Sequence, residues 1–251
     1  MSDFLKGKTA VITGASRGLG RAMALALAEA GVRLALVARD EAKLAEVAGA
    51  AREKGAEAEC YPADVTSEAE VLELERQVRQ RFGSAQILIN NAGVNLRKLV
   101  SEFTYQEWRH VLDTNLTGAF LMCRSFVPHM QGTGYGRIIN MTSIMSHVSL
   151  PERVAYSSSK AGLLGLTRAL ALELAADGIT VVGISPGPFA TEMNTPLLND
   201  PVKNAQFLQS IPVGRWGRVE DIGALARFLC SEEASFITGT DIVIDGGWLA
   251  R

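Results

Sequence analysis

Residues 8–31 read KTAVITGASRGLGRAMALALAEAG: a short apolar run, a glycine-rich turn, and a longer run rich in alanine and leucine. The first run predicts a buried strand, and the apolar spacing of the last run predicts a helix. A glycine turn between a first strand and a helix brings backbone amides and a helix N-terminus together, an arrangement that binds pyrophosphate. The spacing Gly-x-x-x-Gly-x-Gly also occurs for structural reasons alone. Its place directly after the first strand favours a dinucleotide site.

Alternating strand and helix patterns continue from this unit to the C-terminus. Strands are predicted at Lys8–Thr13, Arg33–Ala38, Glu57–Tyr61, Gln86–Asn90, Arg137–Met141, Thr180–Ile184 and Asp241–Ile244. Helical patterns include Gly20–Ala30, Glu41–Lys54, Glu68–Phe82 and Val154–Ala176. Such alternation predicts a single α/β domain over residues 1–251, a Rossmann-type doubly wound parallel sheet of about seven strands with helices on both faces.

The composition excludes several classes of function. The chain has 251 residues, 47% of them hydrophobic and 21% charged, which is typical of globular proteins. A net charge of −2 offers no electrostatic footprint for nucleic acid or for an anionic membrane. The three cysteines are scattered, so we expect buried thiols and no metal site. The N-terminus has no apolar core of a secretory signal and no run is long enough to span a bilayer, so we expect a cytoplasmic protein.

The end of the second predicted strand bears on which dinucleotide is bound. An NAD site places an acid at this strand tip to bind the ribose hydroxyls, whereas the 2′-phosphate of NADP requires a cation. Here Ala38 stands at the acid position, Arg39 follows it, and Arg17 of the glycine turn can reach the same phosphate. The pattern favours NADP(H) over NAD(H). The alternative is that both arginines are surface residues, and Asp40 keeps that alternative open.

Tyr156 and Lys160 lie four residues apart in the last of these helical patterns, so their side chains share one face. A phenol has a pKa near 10, and lowering it to about 7 takes roughly 4 kcal/mol. A cation about 4 Å away, at an effective dielectric constant near 20, supplies about that much. The pair therefore predicts a tyrosine that gives or takes a proton near neutral pH.

An ordered set of short motifs over essentially the whole chain resembles the short-chain dehydrogenase/reductase family. The set comprises TGASRGLG at 13–20, ADV at 63–65, NNAG at 90–93, Asn115, Ser143, Tyr156-x-x-x-Lys160 and Pro186-Gly187. The resemblance implies an NAD(P)-dependent oxidoreductase that interconverts a ketone and a secondary alcohol by hydride transfer. It also implies that Tyr156 is the catalytic acid/base, that Ser143 holds the substrate oxygen, that Asn115 positions a proton-relay water, and that Lys160 binds the nicotinamide ribose.

The same resemblance implies which residues bind the cofactor. In the glycine turn they are Gly14, Ser16, Arg17, Gly18, Leu19 and Gly20. Beyond the turn they are Arg39, Asp64, Val65, Asn91, Ala92, Gly93, Tyr156, Lys160, Pro186, Gly187 and Thr191. Asp64 follows the third strand, where the family binds the adenine. Its alternative role is an N-cap for the next helix.

Four further strings resemble bacterial gluconate 5-dehydrogenases and 2-deoxygluconate 3-dehydrogenases: NNAGVNLRKL at 90–99, PFATEMN at 188–194, IPVGRWG at 211–217 and DGGWLAR at 245–251. The chain departs from the gluconate pattern at Leu96 and Leu99, where that pattern tends to carry arginine and proline. The implied substrate is a sugar acid, which needs a cation and several hydrogen-bond partners. The tentative substrate contacts are Arg97, Met145, His147, Arg153, Glu192 and Asn194, with a surface or structural role as the alternative for each.

Two other functions remain open from the sequence. A 3-oxoacyl-(acyl-carrier-protein) reductase would share the fold and the catalytic residues, and it would need a basic surface near the cleft for its acidic carrier. The sequence shows no such basic cluster. A catalytically inactive NADP-sensing protein on the same fold would be expected to lack the tyrosine or the lysine, and both are present here.

Two expectations concern movement and assembly. The segment Phe189–Pro212 follows the sixth strand, where ligands of parallel sheets bind, and we predict that it is a mobile substrate lid. A fixed helical subdomain is the alternative. Residues 161–176, AGLLGLTRALALELAA, are apolar over a wider arc than one sheet-facing stripe needs. With the resemblance, this predicts a homotetramer; the only other partner expected is a small-molecule substrate.

Overall fold

The computed structural model describes residues 3–250, including their side chains except those of Asp3, Met193, Pro196, Leu197 and Lys203. Seven parallel strands form one sheet in the order β3-β2-β1-β4-β5-β6-β7. The strands are β1 (Thr9–Thr13), β2 (Arg33–Ala38), β3 (Ala58–Pro62), β4 (Ile87–Asn90), β5 (Gly136–Met141), β6 (Ile179–Pro186) and β7 (Asp241–Ile244). The predicted fold class is therefore confirmed.

Helices connect the strands and cover both faces of the sheet. They are α1 (Gly18–Ala28), α2 (Glu41–Glu53), α3 (Glu68–Phe82), α4 (Tyr105–Leu112), α5 (Gly118–Phe126), α6 (Val154–Leu174), α7 (Thr195–Leu198), α8 (Pro201–Leu208) and α9 (Val219–Cys230). A π-helical turn, Asp113–Thr117, lies between α4 and α5. Within the described range, no helix combines the length and the apolarity that crossing a bilayer requires.

The sheet separates two apolar cores, because its central strands are buried on both faces. One core packs Met23 and Leu27 of α1 with Ile222 of α9 against one face. The other packs Leu74 of α3 and Phe126 of α5 against the opposite face. Strands with apolar side chains on both sides, such as β4, are stable only in this sandwiched position.

The strand order reverses between β1 and β4, which pair with each other although they are not consecutive. The connections from β1 run towards β3 on one side, and those from β4 run towards β7 on the other. A crevice opens at such a reversal, beyond the carboxyl ends of the strands. The glycine turn after β1, the NNAG motif after β4 and the residues after β5 and β6 all meet at this edge.

Candidate active site

A cavity of about 1040 Å³ lies at the carboxyl edge of the sheet. It is long enough to run from the tip of β2, past the glycine turn, to the start of α6. Most of the predicted site residues line it: Gly14, Ser16, Arg17, Gly18, Leu19, Arg39, Asp64, Val65, Asn91, Ala92, Gly93, Arg97, Ser143, Met145, Arg153, Tyr156, Lys160, Pro186, Gly187, Thr191, Glu192 and Asn194. Gly20, Asn115 and His147 do not line it.

The glycine turn has the geometry that a dinucleotide requires. Gly14 and Gly18 have φ angles of +62° and +53°, in the region that favours glycine. Arg17 at the N-cap of α1 makes no capping hydrogen bond with its side chain. The first amides of α1 therefore remain available to an anion such as a pyrophosphate.

Gly20 has a packing role in this turn. A Cβ atom there would lie 2.3 Å from the carbonyl oxygen of Gly14, so only glycine lets α1 approach the strand this closely. The amide of Asn91 holds the same turn from the other side, because its Nδ2 donates to the carbonyl oxygens of Thr13 and Gly14, each at 3.0 Å. The NNAG motif thus braces the glycine turn as well as bordering the cavity.

Near the tip of β2, two cations, Arg39 and Lys43, lie close to two acids, Asp64 and Asp40. Arg39 lies 3.7 Å from Asp64. Asp40 is the N-cap of α2, where its carboxylate accepts a hydrogen bond from the amide of Lys43 at 3.1 Å. Lys43 also lines the cavity, and the sequence reasoning did not single it out. Asp40, the acid that directly follows β2, therefore caps α2.

Asp64 does not cap the helix that follows it. The N-cap of α3 is Ser67, whose side chain accepts from the amide of Glu70. Asp64 instead accepts from the amide and hydroxyl of Thr66, at 2.9 and 2.8 Å. The N-cap alternative for Asp64 was wrong, because the turn after β3 extends three residues further before α3 begins.

Tyr156 lies in the first turn of α6, beside Ser143 at the end of β5. Burial raises the pKa of the phenol above its ordinary value, while the neighbouring Ser143 hydroxyl and the positive charge of Arg153 act to lower it. The Ser143 side chain is buried, and it accepts a hydrogen bond from the amide of Met145 at 3.1 Å. In this structure the phenol is held in its protonated form, which is the form that donates a proton.

Lys160 is 4% exposed, and its Nζ lies 5.7 Å from the centre of the Tyr156 ring. The ammonium donates to the carbonyl oxygen of Met141 at 2.5 Å. Burial lowers the pKa of the Lys160 ammonium to about 8. From the spacing alone, Lys160 was expected to lower the tyrosine pKa. In the structure burial raises the pKa of Tyr156, and the positive charge of Arg153 acts in the opposite direction.

Asn115 lies behind the cavity wall, in the π-helical turn between α4 and α5. Its Oδ1 accepts from the amide of Val94 at 2.8 Å, and its Nδ2 donates to the Val94 carbonyl and to the Ser159 hydroxyl, each at 2.9 Å. The amide thus joins the chain after NNAG to the helix that carries Tyr156. A π turn inserts one extra residue into a helix and often marks functional positions; no pattern in the sequence indicated it.

Two arginines, Arg97 and Arg153, line the cavity near Tyr156. Burial and the nearby charge of Arg97 lower the pKa of the Arg153 guanidinium from its ordinary value. Arg153 donates to the backbone oxygen of Glu152 at 3.2 Å, and Glu152 has a φ angle of +65°. In the described part of the chain no salt bridge joins either guanidinium to a carboxylate, although the charge of Glu152 acts on Arg153. Arg153 is half-buried and Arg97 is exposed, and both line the cavity near Tyr156.

The remaining predicted substrate residues have partners of their own. Glu192 forms an exposed ion pair with Arg17 at 3.0 Å, across the mouth of the cavity. Asn194 donates to the backbone oxygen of Phe189 at 2.9 Å. His147 lies away from the cavity and contacts Asp241, with 2.7 Å between Nε2 and Oδ2. The structure therefore places His147 outside the cavity lining, where the alternative structural role applies.

The structure adds lining residues from parts of the chain that are distant in sequence. His110 and Thr114 come from the region of α4 and the π turn, Phe207 from α8, and Trp248 from the C-terminal segment. Phe207 stacks on Trp216 with ring centres 4.9 Å apart. These positions depend on the tertiary fold. Of the four residues, only Trp248 belongs to a string that the sequence singled out, DGGWLAR.

Comparison with known proteins agrees with this geometry. The family model described as enoyl-(acyl carrier protein) reductase matches residues 14–249. The chain is 41% identical to a 3-oxoacyl-(acyl-carrier-protein) reductase of Staphylococcus epidermidis over 241 residues, which are 96% of this chain and 98% of that protein.

Solved structures extend the comparison. A putative gluconate dehydrogenase from Agrobacterium tumefaciens superposes with a TM-score of 0.96 at 38% identity, covering 99% of this chain and 98% of that one. A gluconate 5-dehydrogenase from Burkholderia cenocepacia, solved in complex with NADP and tartrate, gives a TM-score of 0.94 at 33% identity, with coverage of 99% and 98%. The chain is therefore a member of the short-chain dehydrogenase/reductase family, an NAD(P)-dependent oxidoreductase that acts on hydroxyl and keto groups.

Proposed function

We propose that the protein interconverts a ketone and a secondary alcohol on a sugar acid of the gluconate type, with NADP(H) as the cofactor. The observation that carries this proposal is the pair of arginines, Arg97 and Arg153, in the same cavity as Tyr156. Arg153 is half-buried and the positive charge of Arg97 disfavours its charged form, so an anion bound near both would stabilise it. A carboxylate is the group whose planar geometry matches an arginine best.

The proposed mechanism assigns each step to a side chain. A nicotinamide cofactor, held by the glycine turn and Lys160, would supply or accept the hydride. Tyr156 donates its phenolic proton to the ketone oxygen during reduction and accepts it back during oxidation. The Ser143 hydroxyl holds that oxygen beside the phenol, and Lys160 keeps a positive charge behind the pair and orients the ribose. Asn115 fixes the distance between the NNAG turn and α6 through its bonds to Val94 and Ser159.

We expect Arg97→Gln to raise the KM for gluconate-type acids by about 10- to 100-fold, the loss of one charge-assisted hydrogen bond. Turnover of an uncharged secondary alcohol should stay the same. Arg153→Gln should raise KM similarly and also lower kcat, because Arg153 acts on the Tyr156 phenol. The measurement is the reduction of NADP⁺ at mildly alkaline pH by a panel of sugar acids and neutral secondary alcohols. The matched control is Arg76→Gln, on an exposed α3 residue that pairs with Glu73 outside the cavity. An unchanged KM in Arg97→Gln would remove the anion site.

A second candidate function rests on the identity to the acyl-carrier-protein reductase of Staphylococcus epidermidis. That protein's name concerns a thioester substrate, and the fold alone does not distinguish the two substrates. The same NADP(H) assay with a 3-oxoacyl thioester separates them. Turnover of the thioester without turnover of any sugar acid would replace the first candidate by the second.

We propose that NADP(H) is preferred over NAD(H) because the 2′-phosphate would be held by Arg39 and Arg17. Both arginines line the cavity, the position of the NAD-binding acid is taken by Ala38, and Asp40, which also lines the cavity, caps α2. The NADP-containing complex of the Burkholderia cenocepacia relative supports the same preference. Glu192 and Asp64, the present partners of Arg17 and Arg39, compete with the phosphate for them.

We expect the KM for NADPH to be at least about tenfold lower than that for NADH, since losing a charged pair costs roughly 1.5–3 kcal/mol. Arg39→Gln should weaken NADPH binding and leave NADH binding unchanged. Initial rates at varied NADPH and NADH give the two KM values, and quenching of protein fluorescence gives the binding affinity of each cofactor. Equal affinities in the unaltered protein would mean that both arginines stay with their carboxylate partners.

We propose that residues 189–212 form a lid over the substrate. The segment contains a 3₁₀ turn, Glu192–Asn194, followed by α7 and α8, and the Arg17–Glu192 pair attaches it to the glycine turn. Because this pair is exposed, it contributes little to stability and can open readily. Hydrogen exchange should show weak protection in the free protein and strong protection with NADPH and substrate. Equal, strong protection in both states would support a fixed helical subdomain.

We propose a homotetramer in which α6 contributes to an interface. Leu172 of α6 is 85% exposed, and Phe120 of α5 and Phe228 of α9 are also exposed. Leu172 and Phe120 are on helices that cover one face of the sheet and Phe228 is on a helix of the other, and exposed large apolar side chains are candidate association sites. Light scattering at micromolar concentration should give the mass of four chains, and a monomer would contradict the proposal.

A further inference from the structure

The partly exposed side chain of His147 contacts a polar cluster behind the Ser143 turn whose other members are buried. The turn runs from Ser143, through the short 3₁₀ helix Ile144–Ser146, to His147. His147 Nε2 lies 2.7 Å from Oδ2 of Asp241, the first residue of β7. The Asp241 side chain is only 7% exposed, so its carboxylate is held by protein groups far more than by water.

The same carboxylate oxygen also binds the hydroxyl of Ser185, near the end of β6. Ser185 is fully buried, and its oxygen lies 3.0 Å from the carbonyl oxygen of Ser143 and 2.9 Å from the hydroxyl of Thr142. The single hydroxyl proton of Ser185 is within reach of both the Asp241 carboxylate and the Ser143 carbonyl, and the Thr142 hydroxyl donates its own proton to the Ile184 carbonyl at 2.7 Å. Ser185 thus links Asp241 to the segment that directly follows β5.

The backbone of β6 leaves space for this carboxylate. Gly183 pairs with Asp241 across the two strands. A Cβ atom on Gly183 would lie 2.6 Å from Cβ of Asp241 and 3.0 Å from the hydroxyl of Thr142. A larger residue would displace the aspartate from its partners. The cluster is therefore built by the sheet itself, beneath the end of β5.

One carboxylate contacts both ends of the Ser143 turn, His147 directly and Ser143 through Ser185. The turn also carries Met145, whose amide bonds the Ser143 hydroxyl. A shift of the turn by a fraction of an ångström would move that hydroxyl relative to Tyr156. Catalytic geometry is sensitive to displacements of this size.

We propose that Asp241 is a positioning residue, which fixes the Ser143 hydroxyl beside Tyr156 by clamping the turn through His147 and Ser185. The inference rests on the role of Ser143 in the proposed function. Asp241 does not touch the substrate cavity, so its effect should appear in turnover and not in cofactor binding. Asparagine at this position keeps the size and a hydrogen bond to each neighbour, and alanine keeps neither.

The test is a double-mutant cycle on Asp241 and Ser143, with any ketone that the unaltered enzyme reduces. Asp241→Ala should lower kcat about tenfold and change the KM for NADPH by less than twofold, while Asp241→Asn should restore most of the loss. In the Ser143→Ala background, Asp241→Ala should cost nothing further, because its effect passes through the missing hydroxyl. A loss of the same factor in both backgrounds would show a general structural role and overturn the proposal.

Ser185→Ala removes one oxygen atom and keeps the cycle interpretable where Asp241→Ala does not fold. It should lower kcat less than Asp241→Ala does, and again only when Ser143 is present. An unchanged kcat in both Asp241→Ala and Ser185→Ala overturns the proposal. If Ser143→Ala itself retains full kcat, the assigned role of Ser143 in the proposed function fails, which is a separate result from the other two.

Discussion

Replacing Tyr156 with phenylalanine should lower kcat by about 10³-fold, within the range that loss of a general acid or base produces. The substitution removes one oxygen atom and keeps the ring, so α6 and the cavity wall keep their packing. The Kd for NADPH should change by less than about twofold. In the free protein, burial raises the pKa of this phenol, so the proton that reduction of a ketone requires is present at neutral pH. Stopped-flow reduction and fluorescence titration measure the two quantities.

The matched control for this substitution is Tyr61→Phe. Tyr61 is a buried tyrosine of β3, and burial raises its pKa to about 12, but it does not line the cavity. Its loss should affect stability and leave kcat unchanged. If Tyr156→Phe kept more than a few per cent of the unaltered kcat, another acid would have to supply the proton, and Arg153 and Lys160 would be the nearest titratable groups to consider.

The sheet could be predicted because its strands carry their signal locally. The boundaries of β2 and β7 agree with the prediction, and α3 begins and ends at the predicted residues. Continuous apolar runs between glycine-rich turns have few alternatives to a buried parallel strand. Most of the cavity-lining residues could also be predicted, because the carboxyl ends of all parallel strands meet at one edge of the sheet.

Features that depend on contacts between distant residues could not be read from the sequence. The π turn at Asn115 comes from a backbone adjustment that no local pattern announces. His147 was a tentative substrate contact, on a loop expected around the nicotinamide, and in the structure it contacts the carboxylate of Asp241. Asp241 comes 94 residues later in the chain. Nothing in its own neighbourhood marks it as a partner for a histidine.

The pKa of Tyr156 differs from the expectation for a similar reason. From the spacing alone, a cation four residues from a phenol lowers its pKa by Coulomb attraction. Spacing does not reveal that both groups are buried, and burial disfavours the charged form of each. It raises the pKa of Tyr156 and lowers that of Lys160 to about 8. In the free protein the Tyr156 phenol is therefore protonated at neutral pH, and the neighbouring Lys160 ammonium loses its proton more readily than an exposed lysine does.

Lys160→Met should lower kcat by about 10²- to 10³-fold and weaken NADPH binding, because it removes the charge behind the phenol and the proposed ribose contact. At the same time it should stabilise the free protein. The pKa of Lys160 falls from 10.5 to about 8 on folding. That difference corresponds to about 3 kcal/mol of destabilisation wherever the lysine is charged in both states. Methionine avoids this cost and loses one hydrogen bond, to Met141, worth about 1 kcal/mol.

The sign of the pH dependence follows from proton binding. Between pH 8 and pH 10.5 the unfolded chain binds more protons at this lysine than the folded protein does, so the cost of burying it falls as the pH rises. Lys160→Met should therefore raise the free energy of unfolding by about 2 kcal/mol at pH 7 and by close to zero at pH 9.5. Reversible urea unfolding at one protein concentration measures both values. Lys6→Met, at an exposed position, controls for the loss of a lysine in general. A lower free energy of unfolding for Lys160→Met than for the unaltered protein at pH 7 would contradict this prediction. It would mean that the surroundings of Lys160 stabilise its charged form in the free protein.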